Sequence, residues 1–119
     1  MLSKGFRNLN DSDISKAKYD NLEDGGGQVS KIRIERNPNE KRLEELGVSD
    51  WPIWTKEVSE FPWSYDAQET CYFLEGDVIV TPDGEEPVNM GKGDLVTFPK
   101  GMSCTWDIGK DVKKHYQFE

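Results

Sequence analysis

Two segments, WSYDAQETCYFLEGD at Trp63–Asp77 and GDLVTFPKGMSC at residues 93–104, give the strongest indication of the fold. Both segments are rich in β-branched and aromatic residues, which favours strands. Because successive side chains of a strand point to opposite faces, alternate residues can share one inward face. In the first stretch these residues are Trp63, Tyr65, Glu69, Cys71 and Phe73. The second stretch ends at Cys104, and the same alternation continues from there to Trp106 and Ile108.

The rest of the chain supports a barrel or sandwich of short antiparallel strands. Strand-like segments follow one another after Trp51, and they are separated by the turn sequences TPDGEE, MGKGD, PKGM and IGKD. VSKIRIER at 29–36 alternates as a half-buried strand, and NPNEKRLEELGV predicts a short helix that an asparagine caps and Gly47 ends. Residues 1–28 are poor in large apolar side chains and end near a glycine triplet, so we predict a mobile tail and linker there and one barrel domain at 29–119.

Composition excludes several classes of function. The net charge of −8 is unfavourable for binding nucleic acid or an anionic membrane surface. No apolar run approaches the roughly 20 residues that span a bilayer, and no signal peptide is visible, so we expect a cytoplasmic protein. The single histidine, His115, excludes a site built from several histidines of one chain.

The two quoted stretches resemble the two motifs of the cupin superfamily, H-x-H-x(3,4)-E-x6-G and G-x5-P-x-G-x2-H. The second stretch places glycine, proline and glycine at the family spacing, and the resemblance covers about residues 29–119. The segments WPIW, ETCYFLEG, GDLVTFPKG and KHY are also similar in sequence to a group of small single-domain cupins. This group is related to the cupin domains of ureidoglycine aminohydrolase. The resemblance implies an all-β jelly-roll barrel, and it carries the family's metal ligands over to Trp63, Tyr65, Glu69 and Cys104.

These four positions do not reproduce the family's metal site. Tryptophan is not a ligand and tyrosine is a poor one for most divalent ions. A metal bound through Glu69 and Cys104, with Cys71 nearby, stays an alternative because carboxylate and thiolate both bind zinc. We therefore predict no metal and no other cofactor.

Six further side chains complete the predicted site around Glu69. A buried Glu69 suits a general acid or base, or alternatively a structural hydrogen bond, and Cys104 is either a nucleophile or a small core residue. Ligand-binding roles are predicted for Trp63, Tyr65, Cys71, Trp106 and Lys114. Core packing is the alternative for the three aromatic residues and for Cys71. In KKHYQF, parity allows His115 with Gln117 inward or Lys114 with Tyr116 and Phe118 inward, and the apolar pattern favours the second arrangement.

Three functions are consistent with these residues. The first is metal-independent binding of a small organic molecule in the barrel lumen. The second is a metal-dependent enzyme that resembles ureidoglycine aminohydrolase and hydrolyses a C–N bond. The third is a scaffold with a solid core, and for each of them a homodimer is the expected assembly.

Overall fold

A computed structural model describes residues 31–119, and this part of the chain forms seven strands, one α-helix and one 3₁₀ turn. The predicted tail at 1–28 and the first two residues of the first predicted strand, Val29 and Ser30, lie outside the described residues. The elements are β1 (Arg33–Arg36), α1 (Glu40–Leu46), the 3₁₀ turn (Val48–Asp50), β2 (Ile53–Lys56), β3 (Ser59–Ser64), β4 (Glu69–Pro82), β5 (Val88–Gly91), β6 (Asp94–Phe98) and β7 (Ser103–Phe118).

The two long strands, β4 and β7, pair with each other antiparallel and belong to both walls of the barrel. The first part of β4 also pairs with β6 and the last part of β7 with β2, so one wall has the order β1-β6-β4-β7-β2. The later part of β4 also pairs with β5 and the first part of β7 with β3, which builds the opposite wall. The predicted all-β, antiparallel cupin-type fold with one short helix is confirmed.

A bend near Gly76 carries β4 from one wall to the other. The ladder with β7 shifts register between Phe73 and Val78, as β-bulges do. Gly76 has φ +127°, and a Cβ atom there would lie 2.9 Å from Cγ2 of Val112 on β7. The sequence IGKD opposite this bend was predicted to be a turn, and that prediction is wrong, since β7 runs unbroken from 103 to 118.

The first motif is also divided differently from the prediction. Trp63 lies on β3 and Glu69 begins β4, and residues 65–68 form the connection between them. Tyr65 anchors that connection, because its N–H donates to the Met102 carbonyl at 2.9 Å and its carbonyl accepts from Gly101 at 2.7 Å. Asp66 in the connection is a turn-forming residue type, so one continuous strand from 63 to 73 does not form.

Two apolar clusters hold these elements together. The larger fills the barrel between the walls and includes Phe73, Val96, Phe98 and Ile108. The smaller lies on the outer side of the first wall, where α1 covers Val48, Trp51 and Leu95. The helix begins and ends as predicted: the Asn39 side chain accepts from the Arg42 N–H, and Gly47 has the left-handed conformation of a C-terminal cap.

Candidate functional site

A pocket of about 220 Å³ lies between the two walls at one end of the barrel. Its walls are dominated by aromatic rings from β2, β3 and β7, and Glu69 and Lys114 are its charged residues. Trp63 at 47% and Phe118 at 55% are the two strongly exposed lining residues, so they form the rim. The lining residues are Trp54, Phe61, Trp63, Tyr65, Glu69, Trp106, Lys114, Tyr116 and Phe118.

A buried ion pair lies in this pocket. Nζ of Lys114 donates to Oε2 of Glu69 at 2.8 Å, and the two side chains are only 5% and 6% exposed. Glu69 starts β4 and Lys114 lies near the end of β7, so the pair joins two neighbouring strands of one wall. Charges at this depth are costly unless they are paired, and each of these residues neutralises the other.

Aromatic rings surround the ammonium group of Lys114. Its Nζ atom lies 4.7 Å from the ring centre of Trp106 and 4.8 Å from that of Trp54. The rings of Phe73 and Phe98 follow at 5.9 and 5.8 Å. Ring faces attract cations, so these side chains hold the ammonium in place together with Glu69.

Tyr65 contributes a buried hydroxyl to the same pocket. The indole N–H of Trp106 donates to this hydroxyl at 3.1 Å, and the Tyr65 ring stacks on Phe98 with a centroid distance of 4.8 Å. Burial, and secondarily the nearby Glu69 carboxylate, raises the pKa of the phenol well above its usual value. Tyr65 therefore stays protonated and offers a hydrogen-bond donor.

The two cysteines are buried and do not line the pocket. Cys71 lies behind Lys114, and burial raises the pKa of its thiol to about 12, although the ammonium opposes that change. Cys104 lies against β3, where its thiol donates to the Trp63 carbonyl at 3.6 Å, and burial raises its pKa to about 11. Both residues are thus neutral thiols near pH 7, whereas a cysteine that acts as a nucleophile or metal ligand must be a thiolate.

The residues that inherit the cupin ligand positions do not suit a divalent ion. Glu69 binds Lys114 instead, Tyr65 and Cys104 are held protonated, and Trp63 offers no ligand atom. Within residues 31–119, no group of three or more His, Cys, Asp or Glu side chains is placed to hold a metal ion. The donor set of this pocket therefore does not fit the metal of a histidine-rich cupin.

Five of the seven residues predicted for the site line the pocket. Cys71 does not line it, although its thiol interacts with Lys114, and Cys104 lies against the backbone of β3. Lys114 points into the pocket, whereas His115 faces outward and its Nδ1 lies 2.8 Å from the Trp51 carbonyl. Alternation along KKHYQF placed Tyr116 and Phe118 on the same side as Lys114, although no role was predicted for them. Trp54 and Phe61 were missed, because their orientation depends on how β2 and β3 pair with β7.

A family model decides the relationship of this chain to known proteins. The model of the EutQ-like cupin domain matches residues 43–116, which is more than half of the chain. The chain belongs to the EutQ-like cupin family. The cupin resemblance read from the two motifs is thereby confirmed, whereas the more specific relation to ureidoglycine aminohydrolase stays a prediction.

Solved structures support this EutQ-like cupin assignment. A DUF861 family protein from Thermotoga maritima is 52% identical, and the match covers 75% of this chain and 100% of that one with a TM-score of 0.72. A putative ethanolamine utilization protein Q from Salmonella typhimurium is 26% identical, with 56% and 53% covered and a TM-score of 0.51. The EutQ protein of Clostridium difficile, at 20% identity, 78% and 71% coverage and a TM-score of 0.51, shows the fold alone.

A comparison with curated proteins found no match for this EutQ-like cupin. Between residues 31 and 119 there is no helix with the length and apolar character needed to cross a membrane.

Proposed function

We propose that this cupin binds a small organic molecule in the aromatic pocket without a resident metal. The observation that carries the proposal is the Glu69–Lys114 pair in a ring-lined pocket of about 220 Å³. Ligand sites are typically apolar clefts with a few well-placed polar groups, and this pocket has that composition. Its volume lies below the roughly 300 Å³ at which pockets for drug-sized ligands begin, so it suits a molecule of about one ring.

The other two hypotheses receive less support. A scaffold role predicts a barrel filled by its own side chains, whereas this barrel keeps a cavity that opens between Trp63 and Phe118. A metal-dependent hydrolase requires ligands that Glu69 and Cys104 do not provide in their present state. Binding without metal is therefore the function that the pocket supports best.

The tryptophan side chains provide a direct test. Trp54, Trp63 and Trp106 line the pocket, and Trp51 lies in the separate cluster under α1. We expect a small aromatic fragment to shift the indole N–H NMR signals of the first three residues and to leave that of Trp51 in place. If no member of a fragment library moves these signals, or if fragments move only Trp51, the proposed binding function is wrong.

One variant at the rim and one at an equally exposed position away from the pocket separate fragment binding from non-specific effects of surface changes. Trp63→Ala removes one of the two aromatic side chains that form the rim of the pocket and should weaken fragment binding several-fold. Ile53→Ala removes an equally exposed apolar side chain from β2 that does not line the pocket, so it should leave affinity unchanged. Equal affinity of both variants would place the bound fragment elsewhere.

We also infer that the protein acts as a cytoplasmic homodimer. Two buried free thiols are compatible with a reducing compartment, and two-fold dimers are the commonest closed assemblies. Light scattering at micromolar concentration should give twice the chain mass of 13.6 kDa. A mass equal to one chain would contradict the dimer.

A further inference from the structure

The ion pair leaves one buried oxygen of Glu69 available as an acceptor. Lys114 donates to Oε2 at 2.8 Å, and no group within residues 31–119 donates to Oε1. Glu69 as a whole is 4% exposed and lines the pocket. A buried carboxylate oxygen without a donor is unfavourable, so a donor that reaches Oε1 gains a charge-assisted hydrogen bond.

Tyr65 provides the complementary group. Its oxygen already accepts the Trp106 indole proton, and no group within the described part of the chain accepts its hydroxyl proton. Tyr65 is 2% exposed and lines the same pocket as Glu69. The charge of the Glu69 carboxylate contributes to the raised pKa of the Tyr65 phenol. The pocket therefore presents one buried acceptor and one buried donor.

The electrostatics favour a ligand without net charge. Glu69 and Lys114 cancel each other, and the remaining lining residues are uncharged aromatics. An anion would lie beside the Glu69 carboxylate in a protein with a net charge of −8. A cation would compete with the Lys114 ammonium for the same carboxylate and the same rings. In a pocket of low polarity either arrangement is costly.

We propose that the pocket selects an uncharged planar molecule that presents a hydrogen-bond donor and an acceptor side by side on one edge, as a primary amide or a lactam does. The donor binds Oε1 of Glu69, the acceptor receives the Tyr65 hydroxyl proton, and the plane packs against the surrounding rings. This assignment of a ligand class rests on the binding function proposed above.

Four probes that share a phenyl ring test the assignment. Benzamide carries both groups, acetophenone keeps the acceptor and the shape but lacks the donor, benzoate is an anion and benzamidine is a cation. Titrations followed by the indole signals of Trp54, Trp63 and Trp106 should show benzamide as the tightest ligand. Loss of one hydrogen bond to a buried charged group predicts about tenfold weaker binding of acetophenone. The two charged probes should bind at least as weakly.

The outcomes separate this inference from the proposed function. Acetophenone within about twofold of benzamide, or a charged probe that binds more tightly, overturns the ligand class but leaves binding in the pocket intact. If none of the four probes nor any fragment of the wider library binds, both proposals are overturned.

A tyrosine variant tests the second hydrogen bond. Tyr65→Phe removes the donor and should weaken benzamide and acetophenone by similar factors of about three to ten, because both present a carbonyl. Tyr72→Phe, on the outer face of the same wall beneath α1, should change neither affinity. Unchanged affinities in Tyr65→Phe overturn the donor role, and if that variant fails to fold, the four titrations of the native protein decide the proposal alone.

Discussion

Nζ of Lys114 lies 2.8 Å from Oε2 of Glu69, and the two side chains are among the most deeply buried charged groups of residues 31–119. The pair lies where a metal-binding cupin would bring its ligands together, because Glu69 keeps the position of the motif glutamate. A lysine ammonium thus neutralises the carboxylate that a metal ion would otherwise neutralise.

Removal of one partner of this pair should be strongly destabilising. Lys114→Met leaves a buried uncompensated carboxylate, and we expect the free energy of unfolding in urea to fall by about 3–5 kcal/mol. The double variant Glu69→Gln with Lys114→Met leaves no charged side chain in the pocket and should recover most of that loss.

The exposed pair of Arg42 and Glu35 serves as the control for the buried pair. Its atoms approach to 3.0 Å, but both side chains are more than 40% exposed, so Arg42→Met should leave stability nearly unchanged. A loss in Lys114→Met no larger than that in Arg42→Met would show that the Glu69 charge is well solvated.

Tyr65→Phe should destabilise the barrel through Trp106. The variant leaves the indole N–H of Trp106 buried without its acceptor, which costs about 1–3 kcal/mol in unfolding free energy. The Trp106 N–H NMR signal should move upfield and exchange faster with solvent. Tyr72→Phe should preserve both properties, and an unperturbed Trp106 signal in Tyr65→Phe would contradict the hydrogen bond.

Neither cysteine should react with iodoacetamide in the folded protein at pH 8. Burial raises the pKa values of Cys71 and Cys104 to about 12 and 11, so the thiolate that attacks the reagent is scarce. Mass spectrometry should find no label on the native protein and two labels after unfolding in urea. Rapid labelling of native Cys104 would restore it as a candidate nucleophile.

The same pKa shifts predict the dependence of stability on alkaline pH. A thiol whose pKa is higher in the folded than in the unfolded chain loses its proton first in the unfolded chain. The free energy of unfolding should therefore fall as the pH rises from about 8.5 towards 11 or 12. Cys71→Ala should show a smaller decrease over this interval than the native protein.

Gly76→Ala should destabilise the bend of β4 far more than Gly84→Ala destabilises the turn after β4. Both glycines have positive φ, which a side chain adopts at a cost of about 1–2 kcal/mol. Only at Gly76 would the new Cβ also meet Val112, at 2.9 Å, and overpacking adds about 1–3 kcal/mol. Urea unfolding of the two variants isolates the contribution of this contact, and equal losses would contradict the close approach of β4 and β7.

Local sequence patterns were sufficient for the fold class and insufficient for the boundaries of two strands. The glycines and Pro99 of the second motif fix corners at defined spacing, and such corners are local properties. The unbroken course of β7 through IGKD was not predictable, because it depends on pairing with the bulge at Gly76, about 35 residues away in sequence. Turn-forming residues there are accommodated by a bend within a strand.

The same distinction between local and long-range information applies to the residues of the site. Alternation on β4 and β7 placed Glu69 and Lys114 on inward faces, since parity within a strand is local. It could not tell that Cys104 turns towards the β3 backbone, nor that Trp54 and Phe61 reach the pocket. Those positions follow from the register of β2 and β3 against β7, which is a long-range property.

The sharing of β4 and β7 by both walls also determines how a molecule can enter. The walls cannot separate like two hinged lobes, because that movement would tear the ladder between these strands. Entry must instead proceed past Trp63 and Phe118, through rotation of side chains that are already half in solvent. Such rotations take picoseconds to nanoseconds, so we expect association without a slow opening step and with rate constants set by encounter.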